Sequence, residues 1–234
     1  MISLSRAVWR QFRAGFWRFF EFDVFFKILA AVVLQPISAW LASVLISSTG
    51  YPAFSNERII AFLLSPVGVT TVIVSGTAAA AIIFTEFAGL VVLNADLSSS
   101  RPMTSAEALW RTIKKLPELA KLGMVVIVAF GLALAPFAAL AALTYRALLS
   151  GADINYFLAE TPPRFWAAVA IGLVLLIGAA LVVAMLYIRW IFSVPALLFE
   201  AKGAVAALRK SSELVAGSML KVGGVLLVWG GAIF

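Results

Sequence analysis

The sequence predicts an all-α integral membrane domain, and three observations lead to this fold class. Hydrophobic residues make up 63% of the 234 residues and charged residues only 12%, which is more apolar surface than one soluble core of this size buries. The apolar residues form long unbroken runs, without the ten-residue alternation of barrel strands. Basic residues alternate between rich and poor segments. Together these features predict a polytopic bundle of transmembrane helices.

Four apolar runs are long enough to cross a hydrocarbon layer, which needs about 20 helical residues. The predicted spans are residues 28–47, 66–93, 121–145 and 166–188. A fifth run, from about 219 to 234, covers only part of the layer, so we expect the chain to end inside a helix. Pro36 and Pro136 interrupt the hydrogen bonding of the first and third spans and are expected to kink them.

The distribution of Lys and Arg predicts the orientation of these spans. Five basic residues precede the first span, and the next four segments carry one, five, two and five. This alternation is typical of a multi-pass protein of the bacterial inner membrane with its N-terminus in the cytoplasm. The net charge of +7 is therefore explained by the basic residues that orient the spans in the membrane. No basic block has the composition of a nucleic-acid module, so nucleic acid is not expected as a partner.

Three similar basic segments precede the first, third and fifth spans and predict an internal repeat. They are SRAVWRQFRAGFWRFF, SAEALWRTIKKLPELAKL and GAVAALRKSSELVAGSML. Each repeated unit would be an amphipathic helix at the membrane interface followed by a transmembrane hairpin. The predicted apolar stripes of the second and third segments are Ala106, Leu109, Trp110 and Ile113, and Val205, Leu208, Val215 and Met219.

The basic residues of the second and third segments have two compatible interpretations. They set the topology of the neighbouring spans, or they also bind the headgroups of anionic lipids at the cytoplasmic face. The residues concerned are Arg111, Lys114, Lys115, Arg209 and Lys210. The lipid bilayer, with its anionic lipids, is thus an expected partner.

Glu86 is the one carboxylate well inside an apolar run, IIFTEFAGLVVL. A charged residue in that position is a functional candidate. The alternative places Glu86 at the inner end of the second span, where it would pair with Arg189 at the matching end of the fourth. Because one isolated acid is too little for a proton relay, the sequence favours the structural pair.

The segment DINYFLAETPPRFW separates the third and fourth spans, and the predicted orientation puts it on the outer face. Asp153, Asn155 and Tyr156 are candidates for contact with a lipid headgroup or with another domain. The alternative is a capped return into the membrane, in which Thr161 is the helix N-cap and Pro162 takes the first helical position.

Catalytic chemistry is not predicted within these residues. The chain has no histidine and no cysteine, which excludes imidazole acid/base catalysis and thiolate chemistry. No phosphate-binding loop, nucleophile elbow, zinc motif or pair of carboxylates is recognisable. We therefore assign no catalytic, cofactor-binding or metal-ligating residue to the chain.

Four separated landmarks follow one another from about Trp17 to the end of the chain. They are SNERIIAFLLSPVG, DINYFLAETPPRFW, YIRWIFSVPALLFE and AALRKSSEL. In type and order they resemble the membrane domain of bacterial glycerophosphoryl diester phosphodiesterases. The resemblance implies that a (β/α)₈ hydrolase domain follows, which uses histidines, acidic residues and a divalent cation to cleave glycerophosphodiesters to an alcohol and glycerol 3-phosphate. None of its catalytic residues has a counterpart in this chain.

The resemblance implies a membrane domain that anchors a separate hydrolase domain, and that could also feed lipid-derived glycerophosphodiesters to it. The catalytic domain and its cation are expected downstream of residue 234, so the parent protein would be the enzyme and not this chain alone. The alternative is a small repeat-built transporter or lipid-translocating protein with no enzymatic domain, which would use the repeats, Pro36 and Glu86.

Overall fold

The computed structural model describes residues 2–47, 62, 65–97, 103–150 and 154–233, and every regular element in these ranges is helical. The elements are α1 (Ile2–Leu29), a π-helical turn (Ala30–Leu34), α2 (Gln35–Ser47), α3 (Pro66–Asp96), α4 (Ser105–Ile113), α5 (Leu116–Leu148), α6 (Ile154–Glu160), α7 (Pro163–Trp190), α8 (Ser193–Phe199), α9 (Ala204–Val215) and α10 (Met219–Ile233). The predicted all-α fold class is confirmed.

Four helical stretches in the described ranges have the length and apolar composition needed to cross a membrane. They are Gly15–Val44, Pro66–Asp96, Leu116–Leu148 and Pro163–Phe199. A fifth is possible if the bent pair Ala204–Val215 and Met219–Val228 counts as one span. The chain is therefore a multi-pass membrane protein.

Pro36 is accommodated by the π-helical turn Ala30–Leu34, which ends two residues before it. The N–H of Gln35 donates to the carbonyl of Ala30, five residues back. Proline lacks an N–H and crowds the carbonyl four residues earlier, and a π turn relieves this conflict by widening the helix locally. The predicted disturbance of the first span thus takes the form of a π turn inside one span, Gly15–Val44.

The chain divides into two compact units, Met1–Ile127 with Phe192–Lys210, and Val128–Ile191 with Ser211–Phe234. In the first unit α3 is central and contacts α1, α2, α4 and α8. One buried hydrophobic cluster joins α1, the π turn, α3 and α4: Phe22, Phe26, Ala30, Leu93, Met103, Ala108 and Leu109.

Local polar contacts fix the ends of α3 and α4 in the first unit. Ser65 caps α3 by accepting the N–H of Gly68 at 3.0 Å, and Pro66 takes the first turn. A reciprocal capping box begins α4, in which Glu107 accepts the N–H of Thr104 at 2.9 Å and donates its own N–H to the threonine hydroxyl at 3.2 Å. These caps determine where each helix begins.

The apolar stripe predicted for α4 as an interfacial helix is exposed except at Leu109, and its contact with lipid remains a prediction. The buried residues are Ser105, Ala108, Leu109 and Thr112, whereas Trp110 is 61% exposed. In a membrane protein the side that faces the other helices is enriched in small residues, since these allow close packing, and large apolar residues can face lipid. The buried side of α4 is therefore the side with the small residues, and most of the predicted apolar stripe lies on the other side.

Of the apolar stripe predicted for α9, Leu208 and Val215 are buried and Val205 is 69% exposed. The position of this stripe at the membrane interface remains a prediction. Gly217, with φ +78°, lies in the break that separates α9 from α10, and the two helices bend by 91°. A positive φ favours glycine at such a turn. The first copy has no corresponding break, because α1 is continuous from Ile2 to Leu29. The predicted repeat is therefore not confirmed.

The second unit is held by contacts among α5, α7 and the end of α9. The rings of Phe130 and Trp190 meet edge to face with centroids 5.8 Å apart, and the Ser211 hydroxyl donates to the Arg189 carbonyl at 2.7 Å. A Cβ at Gly178 would lie 2.8 Å from the ring of Phe137, so this glycine permits close packing.

Candidate functional site

Three ionisable side chains meet between two helices of the first unit that are candidate membrane spans. Lys27 Nζ lies 2.7 Å from Asp23 Oδ2, one turn earlier in α1, and 4.0 Å from Glu86 Oε1 in α3. The carboxylates of Asp23 and Glu86 therefore both approach the same ammonium. We call Asp23, Lys27 and Glu86 the charged cluster. Ionisable residues inside membrane spans are rare, pair with one another, and are functional candidates.

A close helix contact next to the charged cluster holds α1 against α3. Phe22 is fully buried and its ring lies over Gly89, where an added Cβ would be only 1.9 Å from Phe22 Cζ. Phe22 precedes Asp23 in α1, and Gly89 is one turn after Glu86 in α3. The glycine therefore allows the approach that brings the two carboxylates together.

The charged cluster carries one positive and two negative charges and is partly open. Lys27 is 63% exposed, Asp23 33% and Glu86 26%. The ammonium compensates one carboxylate, and the remaining negative charge can take a proton or a monovalent cation. Among the residues described, no group of three or more His, Cys, Asp or Glu side chains could hold a metal ion.

The predicted pair of Glu86 with Arg189 is not tested by these contacts. Glu86 belongs to the first unit and Arg189 to the second, and the described ion-pair partner of Glu86 is Lys27. The backbone carbonyl of Arg189 accepts the Ser211 hydroxyl. The pair remains a prediction.

The segment predicted to contact a headgroup or another domain contributes an aromatic corner to the second unit. Tyr156 is exposed and meets the buried Phe157 edge to face at 5.5 Å. Phe157 stacks on Phe165 at 6.1 Å, and the Arg164 guanidinium lies 5.1 Å from the ring of Phe157. Asp153 lies outside the described residues, and Asn155 belongs to α6. These contacts, which we call the aromatic corner, fix the connection between α6 and α7.

Thr161 does not cap α7 as predicted. Pro162 is the N-cap, without a side-chain hydrogen bond, and α7 begins at Pro163. Thr161 instead ends α6: its N–H donates to the Phe157 carbonyl at 3.1 Å, and its φ is +40°. The two consecutive prolines explain the difference, because the residue before a proline is pushed away from helical geometry.

Replacing Thr161 with glycine should stabilise the chain. A β-branched residue in the left-handed region is strained by about 1–2 kcal/mol, and glycine relieves that strain. We expect the melting temperature in detergent to rise by roughly 3 °C. Thr144→Gly is the matched control and should lower it, because Thr144 lies inside α5 with ordinary helical geometry. A lower melting temperature for Thr161→Gly would show that the backbone of Thr161 is not strained.

The basic residues predicted to contact lipid have different surroundings. Lys114 lies 5.0 Å from the ring centre of Trp110, and Arg111 is exposed on α4. Lys115 pairs with Glu118 at 2.9 Å, and Lys210 pairs with Glu200 at 3.0 Å. Arg209 is exposed on α9 and has a further interaction of its own. Lipid contact by these residues remains untested.

Sequence analysis found Glu86 but missed Asp23 and Lys27. The signal was present, because an acid four residues before a lysine forms a pair on one helix face. It was overlooked because the first span was predicted to begin only at residue 28, whereas Asp23 and Lys27 lie in the stretch Gly15–Val44. The role of Gly89 could not be predicted from the sequence, since it depends on the contact of α3 with α1.

Comparison with known protein families gives a match over nearly the whole chain. Residues 5–234 match the family model described as "Membrane domain of glycerophosphoryl diester phosphodiesterase". No curated protein and no solved structure matches the chain significantly. The matched region includes the charged cluster, the aromatic corner and the basic segments.

Proposed function

Because the chain belongs to the family of membrane domains of glycerophosphoryl diester phosphodiesterases, we propose that it anchors a separate hydrolase domain in the bacterial inner membrane. The N-terminus lies in the cytoplasm in this proposal, as the alternating basic segments suggest. The domain also presents lipid-derived glycerophosphodiesters to the hydrolase. Family membership over nearly the whole chain is the observation that carries the proposal.

The chemistry of the described residues supports an anchoring role and a catalytic centre elsewhere. Hydrolysing a phosphodiester near neutral pH requires an acid/base group or metal-bound water beside the phosphorus. The chain contains no histidine or cysteine. Several acidic side chains serve the fold: Asp96 accepts the Met103 N–H, Glu107 closes the capping box, Glu118 pairs with Lys115, and Glu200 pairs with Lys210.

Hydrolysis of glycerophosphocholine tests the proposal. Purified residues 1–234 should release no glycerol 3-phosphate with or without Ca²⁺ or Mg²⁺, whereas the product of the gene including sequence beyond Phe234 should release it. Both preparations are assayed in the same detergent after a second purification step. Turnover by residues 1–234 that disappears in Glu86→Gln would show that this domain is itself catalytic.

A second candidate function is supported by the charged cluster. Charged side chains within spans occur in transporters, which couple substrate movement to protons or cations. A small transporter or lipid-translocating protein would use the charged cluster without any hydrolase. The same experiment separates the two candidates: a gene product that ends soon after Phe234 and has no hydrolase activity would favour transport.

A further inference from the structure

A cavity of about 410 Å³ lies in the first unit, between the start of α5 and the start of α9. Its lining includes Lys121, Met124 and Val125 from α5, and Lys202, Val205 and Ala206 from the other side. The volume is within the roughly 300–1,000 Å³ of small-molecule sites. We call it the basic cavity. It does not include any residue of the charged cluster.

Both lysines of the basic cavity lack a compensating acid within the described part of the chain. Glu118, one turn before Lys121, is engaged by Lys115 at 2.9 Å. Glu200, two residues before Lys202, is engaged by Lys210 at 3.0 Å. The acids nearest in sequence are thus neutralised by other lysines. Lys121 and Lys202 therefore line the cavity without a described carboxylate to compensate their charge.

The rest of the lining is apolar. Met124 and Val205 are exposed, at 51% and 69%, and Val125 lies beside Met124 on α5. Lys121 is five residues from the start of the span Leu116–Leu148, about 8 Å along the helix axis. The first turn of α9 contains no acidic residue that would repel an anion. An anion that carries an apolar chain matches two lysines beside apolar residues better than a small soluble anion does.

We propose that the basic cavity binds one anionic phospholipid, with its phosphate between Lys121 and Lys202 and the start of an acyl chain along Met124, Val125 and Val205. Lysine is a point-charge ligand for phosphate, and the apolar residues provide the contact that a soluble phosphate would not use. This binding is independent of the proposed hydrolase anchoring, because it requires only the bilayer and this unit.

Native mass spectrometry of the detergent-solubilised chain, titrated with phosphatidylglycerol, tests the proposal. We expect a one-to-one complex whose apparent Kd rises about 5-fold in Lys121→Gln or Lys202→Gln and about 30-fold in the double variant. Ala206→Phe, which fills the cavity without changing charge, should weaken the complex as well. The control Arg146→Gln/Lys221→Gln removes two exposed basic charges outside the cavity and should change the Kd less than 3-fold.

Two further titrations identify the source of the phosphate. Phosphatidylcholine should bind at least tenfold more weakly than phosphatidylglycerol, and millimolar glycerol 3-phosphate should not displace phosphatidylglycerol. Displacement by glycerol 3-phosphate would show a soluble phosphate site and overturn the lipid proposal. An equal loss of binding in Lys121→Gln/Lys202→Gln and in the control double variant would also overturn it. So would unchanged binding in Lys121→Gln, Lys202→Gln and Ala206→Phe.

Discussion

Gly89→Val is expected to lower the melting temperature of the detergent-solubilised chain by roughly 10 °C, or about 3 kcal/mol of unfolding free energy. A Cβ at this position would lie 1.9 Å from Cζ of Phe22, well inside van der Waals contact. The ring has little room to move, because Phe22 is fully buried and stacks on Phe26 with ring centroids 6.0 Å apart. The substitution must therefore separate α1 from α3.

Two variants separate this clash from the general effect of replacing glycine. Gly131→Ala adds a Cβ in α5 that meets no described atom within 4 Å, so it should leave the melting temperature unchanged or raise it slightly. Phe22→Ala combined with Gly89→Val should be more stable than Gly89→Val alone, because the smaller residue makes room for the valine. Equal melting temperatures for Gly89→Val and Gly131→Ala would contradict the predicted contact.

The helical character of the chain could be predicted because it depends on length and apolar content. The run predicted at 66–93 lies on α3, Pro66–Asp96, and its start is marked in the sequence by a serine before a proline. The faces of the helices were harder to predict. In a soluble protein the apolar stripe of α4 would be buried, but lipid also accepts Trp110, and small residues form the contact instead.

The candidate site could be predicted only in part. Glu86 is conspicuous because its neighbours are apolar, whereas Asp23 and Lys27 lie in a segment that contains several charges. Their pairing at 2.7 Å allows the charges to enter a span, an effect that residue counting does not include. The distance to Glu86 depends on the glycine contact between two helices, and such contacts are not encoded in local sequence.

Lys27→Met is expected to lower the melting temperature in detergent by roughly 5 °C. It removes the ammonium that lies 2.7 Å from Asp23 and 4.0 Å from Glu86. Two neighbouring carboxylates would then repel one another without compensation. Methionine keeps most of the length and apolar stem of lysine, so the loss of stability measures the effect of removing the positive charge. Glu86→Gln should have a much smaller effect, because the close pair of Asp23 and Lys27 is retained.

The double variant Lys27→Met/Glu86→Gln distinguishes an electrostatic cluster from three unrelated surface groups. If like-charge repulsion is the cause, neutralising Glu86 should restore at least half of the stability lost in Lys27→Met. Lys221→Met is the matched control, since it removes an exposed lysine from the start of α10 and should cost little. Strictly additive effects, or equal losses for Lys27→Met and Lys221→Met, would mean that these charges do not act together. Recovery in the double variant would instead establish a coupled charge site within the first two spans, the property that a proton- or cation-binding role requires.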